Sequence, residues 1–356
     1  MFDCSKDVIA YHDDKVTLPQ AERTTMRGHR DANRERLKRG LKNAGKPAPR
    51  EFVSQGSYGM KTMTQHADLD YDIDDGVYFD KDALDGQRGG AMSALQARQF
   101  VRDAVDDSSF ARPPEVRNNC VRVYYAKGYH VDMPVYRRIV YRDARGDLYY
   151  YHELASTDWK RSDARDVTAW FEEENSSQSP DNDNGRQLRR IVRQIKKFAR
   201  SRESWKGQIL SGFGITKLVT ECYCGNVNRE DMALHDTMKA IRERLDWSLE
   251  ISHPVTPNET ITKDAKDARA RFLRDRLSEA VSTLAPLFEP SCTRANALKC
   301  WDRVFATTFF SGRADIAAKA APSLLRAPSV APATPFTFPN APRVDDKPRG
   351  FGSCGG

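Results

Sequence analysis

The sequence has no long apolar stretch, and none of its hydrophobic runs approaches the ~20 residues that a membrane-spanning helix requires. The N-terminal residues Met-Phe-Asp-Cys-Ser-Lys also lack the apolar core of a secretory signal peptide. Both absences predict a cytoplasmic protein with no membrane partner.

Cysteine is sparse, with seven residues in a chain of 356. The seven are scattered and odd in number, which predicts reduced thiols rather than a disulfide framework. Cys222 and Cys224 form a close pair, but no second Cys/His pair accompanies them, so the spacing does not favour a zinc site.

The charge and length of the chain limit the class of protein it can be. It is 39% hydrophobic and 30% charged, and its length is enough for two subdomains with their own cores. The net charge of +7 predicts a polyanionic partner, and nucleoside triphosphates or nucleic acid would both satisfy it.

Two short motifs follow one another near the start of the chain. The first, Gln55-Gly56-Ser57-Tyr58-Gly59, is a glycine-serine turn, in which the glycine lets the backbone approach a phosphate and the serine offers a hydroxyl at a predicted helix N-terminus. In the second, residues 68–74, aspartate occupies every even position and apolar residues the odd ones. In a strand this alternation puts one face on the core and gathers the carboxylates on the other.

Crowded carboxylates repel one another, so the acidic face needs a cation. Mg²⁺ prefers such oxygen ligands, and two ions can clamp the oxygens of a phosphoryl or nucleotidyl transfer, with Mn²⁺ as a substitute. Either motif alone is also typical of an ordinary turn or a solvated strand edge. Their order and proximity favour a catalytic site.

The residues Gly56-Ser57, followed by Asp72-Ile73-Asp74-Asp75-Gly76-Val77-Tyr78, resemble the nucleotidyltransferases related to cyclic GMP–AMP synthase. The pattern is most similar to the bacterial CD-NTases, which make cyclic oligonucleotide signals in anti-phage (CBASS) defence. The resemblance runs from about residue 50 to about residue 225. It implies an α/β (α+β) fold in which a mixed-sheet core and a C-terminal helical lobe enclose the nucleotide cleft.

The resemblance also implies which residues bind metal. Asp72 and Asp74 would bind two Mg²⁺ ions, a choice that rests on the family's Asp-x-Asp-Asp-Gly register, since alternation alone equally allows Asp70 and Asp72. Asp132, in a predicted strand, matches the third metal-binding carboxylate. The alternative for Asp132 is a salt bridge to a nearby Arg137 or Arg138.

Further residues are implied to bind the nucleotide. Gln55, Gly56 and Ser57 would hold the triphosphate. A helix after residue 186 carries a clean apolar stripe, with Lys196 beside it and Lys197 off it. Lys196 is the better match to the family's phosphate-binding lysine, and the alternative for either residue is an ordinary surface lysine. Ser211, at the start of the next helix, matches a phosphate-binding serine. Phe213 matches an aromatic residue that stacks on a base, although it could equally be a core residue.

The pattern of the whole chain predicts four segments. They are a charged N-terminal brace helix (1–45, with the helix itself at 17–44), the catalytic core (46–165), a helical lobe (166–311) and a disordered tail (312–356). Within them we predict strands at 51–55, 116–126, 129–141 and 147–154, a polar loop at 175–185, and helices at 91–106, 229–250, 262–285 and 292–310.

The C-terminal Gly355-Gly356 resembles the ends of ubiquitin-like modifiers, whose glycines fit a narrow conjugating active site. Some bacterial CD-NTases are joined through their C-terminus to targets by a ubiquitin-transferase-like partner. Gly356 is therefore a predicted conjugation site, with a glycine-rich end of no function as the alternative.

The sequence thus predicts a template-free nucleotidyltransferase that makes a cyclic di- or trinucleotide from ATP and other ribonucleoside triphosphates, without a need for nucleic acid. Two alternatives remain. One is an acceptor-dependent enzyme acting on RNA 3′ ends, tRNA or protein. The other is a non-catalytic nucleotide sensor, which the three filled acidic positions disfavour.

Overall fold

The structure is a computed structural model that describes residues 1–66, 71–86 and 89–313. Its first elements are α1 (Ser5–Tyr11), α2 (Gln20–Asn43), β1 (Glu51–Gln55), α3 (Gly56–Gly59), β2 (Asp72–Asp80) and α4 (Ala94–Val105). The remaining strands are β3 (Glu115–Val116), β4 (Val121–Tyr124), β5 (His130–Met133), β6 (Val135–Arg142), β7 (Leu148–Ala155) and β8 (Trp159–Arg161). The remaining helices are α5 (Ala164–Gln178), α6 (Gln187–Ala199), α7 (Gly212–Cys222), α8 (Glu230–Trp247), α9 (Ala268–Leu284) and α10 (Arg294–Phe305).

The strands form one eight-stranded mixed sheet, with β2 parallel to β5 and β6 and antiparallel to β1. This confirms the predicted mixed α/β class. The strand predicted at 129–141 is divided at Pro134, which has no backbone N–H for the ladder. Its register against β2 continues unchanged across the division, and Val77 donates its N–H to the Pro134 carbonyl.

The long helix α2 braces the sheet, as its charged sequence predicted. It begins at Gln20 rather than at residue 17 and buries Met26, Leu37 and Leu41 in the same core as α4 and the sheet. Arg34 adds a polar anchor, because its Nε donates to the buried Asp75 carboxylate at 2.7 Å.

A second core fills the helical lobe, and the first residues of the chain belong to it. Cys4, Val8 and Tyr11 pack with the apolar side of α6 and with α8. The sequence did not reveal α1, which is only seven residues long. The N-terminal segment predicted as one brace is thus divided, with α1 on the helical core and α2 on the sheet.

The strand predicted at 116–126 is wrong as a single element, because it is two short strands, β3 and β4, that pair antiparallel around a turn at residues 117–120. The helix predicted at 262–285 begins only at Ala268, and the one predicted at 292–310 ends at Phe305. Helix α5 continues to Gln178 and so covers part of the loop predicted at 175–185. The other predicted strands and helices lie within a few residues of their predicted bounds.

No helix within the described residues is long and apolar enough to cross a membrane. The cysteines in that part of the chain are free thiols, as predicted. Asp68, Asp70 and all but the first two residues of the tail predicted at 312–356, including Gly356, lie outside the described residues.

Candidate active site

Three carboxylates predicted to bind metal meet at the middle of the sheet. Asp74 on β2 and Asp132 on the parallel strand β5 are direct partners in the register, and Asp72 lies two residues earlier on the same face. Their ligand oxygens all lie within 4.8 Å of one another. Alternation along β2 also explains why Asp75 is not among them, since it points to the other face and pairs with Arg34.

The carboxylates repel one another strongly. Burial at the cleft floor and the neighbouring charges of Asp72 and Asp132 raise the pKa of Asp74 to about 8. The Oδ1 atom of Asp72 is buried and accepts no hydrogen bond within the described part of the chain, although His130 Nε2 approaches it to 3.5 Å. Three converging carboxylates with an unsatisfied oxygen match the oxygen donors that Mg²⁺ and Mn²⁺ bind.

A protein cation already lies in this cluster. Arg122 on β4 stands directly across from Asp132 and donates from Nε and Nη2 to both of its oxygens, at 2.6 Å each. Its Nη2 is also 3.7 Å from Asp72. The partners suggested for Asp132 by sequence were wrong, because Arg137 binds Glu153 and Arg138 binds Asp80.

Arg122→Gln is therefore expected to tighten Mg²⁺ or Mn²⁺ binding about five- to tenfold, because the guanidinium and the metal compete for the Asp132 oxygens. Calorimetric titration with Mg²⁺ and electron paramagnetic resonance with Mn²⁺ would measure this affinity. Arg112→Gln is the matched control, since Arg112 pairs with Glu115 at the exposed edge of the sheet. Equal or weaker metal binding by Arg122→Gln would contradict the competition.

The glycine-serine turn lies against the same carboxylates. Gly56 has a φ of +60°, and a Cβ at this position would come within 2.0 Å of Asp74 Oδ2. This contact requires glycine and fixes the distance between the turn and the acidic strand. Ser57 follows in α3 and lines the cleft. Gln55 also borders it, but its side chain is buried and accepts a hydrogen bond from the Tyr136 hydroxyl at 3.3 Å.

Lys196 on α6 reaches the cleft from the helical lobe. It is buried, and its Nζ donates to the Thr62 carbonyl at 3.0 Å. Burial, with the positive charges of Arg200 and Arg193, lowers its pKa to about 7. An amine held this way gains from the arrival of an anion, which favours its charged form.

The last two predicted residues lie at the start of α7. Phe213 lines the cleft and makes an edge-to-face contact with His253, with ring centroids 5.4 Å apart. Ser211 does not line this cleft. It caps α7 by accepting the Gly214 N–H at 3.2 Å and borders an adjoining cavity of about 250 Å³, which shares Lys196 with the cleft.

The cleft has a volume of about 420 Å³, in the range of small-molecule sites. Sequence reasoning missed several residues that line it, namely Ser162, Arg200, Thr216 and His253. His253 comes from a proline-containing connector that carries no chemical motif, so nothing in the sequence pointed to it. Arg200 follows Lys196 by one helical turn, a spacing that could have drawn attention to it.

Comparison with known proteins gives a family match over the acidic motifs. Residues 50–136 match the family model described as the nucleotidyltransferase domain of "Cyclic GMP-AMP synthase DncV-like". This segment contains the glycine-serine turn and all three carboxylates. The match confirms the resemblance that those motifs carry.

Solved structures share the fold over most of the chain. CdnC from Escherichia coli MS115-1, solved with ATP, is 16% identical with a TM-score of 0.61, covering 86% of this chain and 98% of that one. The Vibrio cholerae DncV cyclic AMP-GMP synthase is 14% identical with a TM-score of 0.63, covering 87% and 97%. E. coli DncV, in its 3′-deoxy GTP bound form, is 17% identical with a TM-score of 0.60, covering 83% and 93%. At these identities the likeness is one of fold.

Proposed function

We propose that this chain, whose nucleotidyltransferase domain belongs to the CD-NTase family, is a Mg²⁺-dependent enzyme that joins ribonucleoside triphosphates into a cyclic di- or trinucleotide. The observation that carries the proposal is the cleft in which Asp72 and Asp74 meet the Gly56 turn and Lys196, with the buried Asp132 beside both carboxylates. The relatives with bound ATP and 3′-deoxy GTP, and the one that is a cyclic AMP-GMP synthase, support nucleoside triphosphates as substrates.

In this proposal the three carboxylates hold the metal. When bound, Mg²⁺ supplies positive charge that offsets the build-up of negative charge on the reacting phosphate and lowers the pKa of the attacking hydroxyl. Asp74 must lose its proton to act as a ligand, although burial and the charges of Asp72 and Asp132 raise its pKa. Arg122 must also give up at least one oxygen of Asp132.

The remaining side chains position the triphosphate. Ser57 and the backbone of Gly56 contact the triphosphate from the side of the sheet, and Lys196 contacts it from the helical lobe. Ser211 takes part in holding the triphosphate from the adjoining cavity, where a phosphate would meet the N-terminus of α7. The ribose hydroxyl oxygen of one nucleotide then bonds to the α-phosphorus of the other. The bond to pyrophosphate breaks, and the hydroxyl proton passes to solvent. A second transfer within the linear product closes the ring.

Purified protein incubated with Mg²⁺ and all four ribonucleoside triphosphates is expected to yield a phosphatase-resistant product of cyclic mass. Mass spectrometry would identify it and reveal its bases and ring size. A product that forms only with added RNA or an acceptor protein would favour acceptor-dependent transfer instead. Nucleotide binding without turnover in every mixture, including one with the C-terminal conjugating partner described next, would favour a sensor.

We also propose a role in anti-phage signalling, with Gly356 joined to a target by a ubiquitin-transferase-like partner. The support is the Gly355-Gly356 ending together with the family. Deletion of both glycines is expected to abolish conjugates in cells that carry the partner, as judged by immunoblot. Replacement of Ser353 by alanine, which leaves the glycines in place, is the control. Conjugates that survive the deletion would contradict the proposed conjugation at Gly356 and would not affect the proposed catalytic activity.

A further inference from the structure

The strand β7 has an unpaired outer side over part of its length. It pairs with β6 from Leu148 to Leu154, but β8 covers only its last three residues, 153–155. Within the described residues, no strand pairs with the outer side of Leu148–Tyr151, which we call the free edge. Proteins commonly protect such an edge with lysine or proline, because it can pair with another chain. The free edge has neither, since its sequence is Leu-Tyr-Tyr-Tyr.

The ladder itself shows which backbone groups of the free edge point outward. In an antiparallel pair, alternate residues direct their N–H and C=O groups to opposite sides of the strand. On the outer side of β7, the Ser162 N–H donates to the His152 carbonyl at 3.1 Å. Tyr150 and Leu148 belong to the same row as His152, so their backbone groups also point outward, while the residues between them bond to β6. The free edge therefore offers two N–H and two C=O groups to another strand.

The side chains around the free edge are unusually apolar for a protein surface. Ten large apolar side chains are exposed in the part of the chain that the structure describes, and five of them lie on the hairpin of β6 and β7. They are Val140, Tyr141, Leu148, Tyr149 and Tyr150. Leu148 and Tyr150, whose backbone groups point outward, are the most exposed of the five, at 61% and 60%. A cluster of this kind is typical of a surface that another protein covers.

We propose that two copies of the chain associate through the free edge, with the two β7 strands antiparallel about a two-fold axis. The outward groups fix the register, because Leu148 exchanges both backbone hydrogen bonds with Tyr150 of the second copy. Tyr149 then faces Tyr149 of the second copy on the axis. Apolar side chains lie opposite apolar side chains throughout this register, which stabilises a strand pair. A register centred on Tyr150 would need the His152 carbonyl, which already accepts the Ser162 N–H.

Charge complementarity favours a second copy over a strand from another protein. In the proposed register, Asp147 lies opposite Tyr151 of the second copy. The Arg161 guanidinium lies over the Tyr151 ring of its own chain, 4.8 Å from the ring centroid. Asp147 therefore meets Arg161 of the second copy, and the two-fold axis makes two such pairs. Both residues are exposed, and neither forms an ion pair within the described residues.

The proposed contact lies beside the entrance to the catalytic cleft. Tyr150 and Tyr151 border a concave surface of about 990 Å³, which reaches Ser162 and His253 at the cleft. A second copy would cover the outer end of this surface. One strand edge is smaller than the roughly 800 Å² that each partner buries in a stable complex, so we expect a dissociation constant on the order of 10 µM. The inference does not depend on what the cleft catalyses.

The test is analytical ultracentrifugation of the full chain from about 1 to about 200 µM, where we expect the mass to rise from that of one chain toward that of two. Asp147→Arg should weaken the dimer at least about tenfold, because two attractive contacts become repulsive. Adding Arg161→Asp to that variant restores opposite charges and should return the affinity to within about threefold of the wild type. Asp158→Arg makes the same charge change at an exposed residue before β8 and is the matched control, which should leave the dimer unchanged.

Tyr150→Pro tests the backbone part of the contact. It removes an outward N–H while the ladder to β6 stays complete, so it should abolish the dimer. If this variant does not fold, the charge exchange decides.

Three outcomes would overturn the inference. The first is a chain that stays monomeric up to about 200 µM, which would leave the free edge to a strand of a different protein. The second is a dimer that neither Asp147→Arg nor Tyr150→Pro weakens, since its contact would lie elsewhere. The third is a charge exchange that binds no better than Asp147→Arg alone.

Discussion

Asp74→Asn is expected to lower nucleotide turnover at least about 10³-fold while the fold stays intact. Asp74 is central among the three carboxylates, since it pairs with Asp132 across the strands and shares its face with Asp72. An amide at this position is a much weaker metal ligand and carries no charge. Product formation by mass spectrometry, with metal affinity by calorimetry as a second readout, measures the effect.

The matched control is Asp80→Asn, at the far end of the same strand. Asp80 is half exposed and pairs with Arg138, away from the cleft. It should therefore keep its turnover. Undiminished product from Asp74→Asn, or an equal loss in both variants, would refute the assigned role of Asp74.

Asp74→Asn, which lowers turnover, is expected to raise stability relative to the wild type as pH rises. Because the folded-state pKa of Asp74 is about 8 and its ordinary value is 3.8, the unfolded chain gives up this proton first as pH rises. Wild-type stability without metal should therefore fall between pH 4 and pH 8 by an amount that Asp74→Asn removes. Thermal unfolding in a chelator across this range should show the variant gaining on the wild type as pH rises, while a constant difference would contradict the assigned repulsion.

The acidic site could be predicted from the sequence because side-chain alternation along a strand depends only on neighbouring residues. Alternation along a strand put Asp72 and Asp74 on one face, and the family register chose them over Asp70 and Asp72. The partner of Asp132 was missed for a related reason. Arg122 is ten residues away along the chain but directly opposite in the ladder, and cross-strand pairing requires the register of β4 against β5, which a single sequence does not reveal.

Long-range packing explains the other gaps. Helix α1 is too short to show a periodic pattern, and its partners lie far away along the chain, as in the hydrogen bond from the Cys4 N–H to Asp231, 227 residues away. The position of His253 in the cleft could not be predicted either, because it depends on how its connector packs against residues far away along the chain. The stripe on α6, in contrast, is local and was read correctly. Ser211 caps α7 and borders the adjoining cavity rather than the cleft, so its part in holding the triphosphate stays a prediction.

Gly56→Ala is expected to reduce turnover more than about 10²-fold and to lower the free energy of unfolding by about 2 to 4 kcal/mol. Two effects combine at this position. The added Cβ would sit 2.0 Å from Asp74 Oδ2, and the positive φ is strained for any residue with a Cβ. Either the turn or the carboxylate must move, and both belong to the proposed site.

Gly45→Ala separates the two effects. Gly45 has a φ of +62°, almost the same as that of Gly56, but a Cβ there meets nothing within 4 Å. It should therefore lose only the strain contribution, about 1 to 2 kcal/mol, and keep its turnover. Because the backbone strain is matched, the difference between the two variants measures the contact between the turn and Asp74. If the two variants lose the same stability and both stay active, catalysis does not require the turn to lie against the carboxylates. The proposal that the turn binds the phosphates in the cleft would then be wrong.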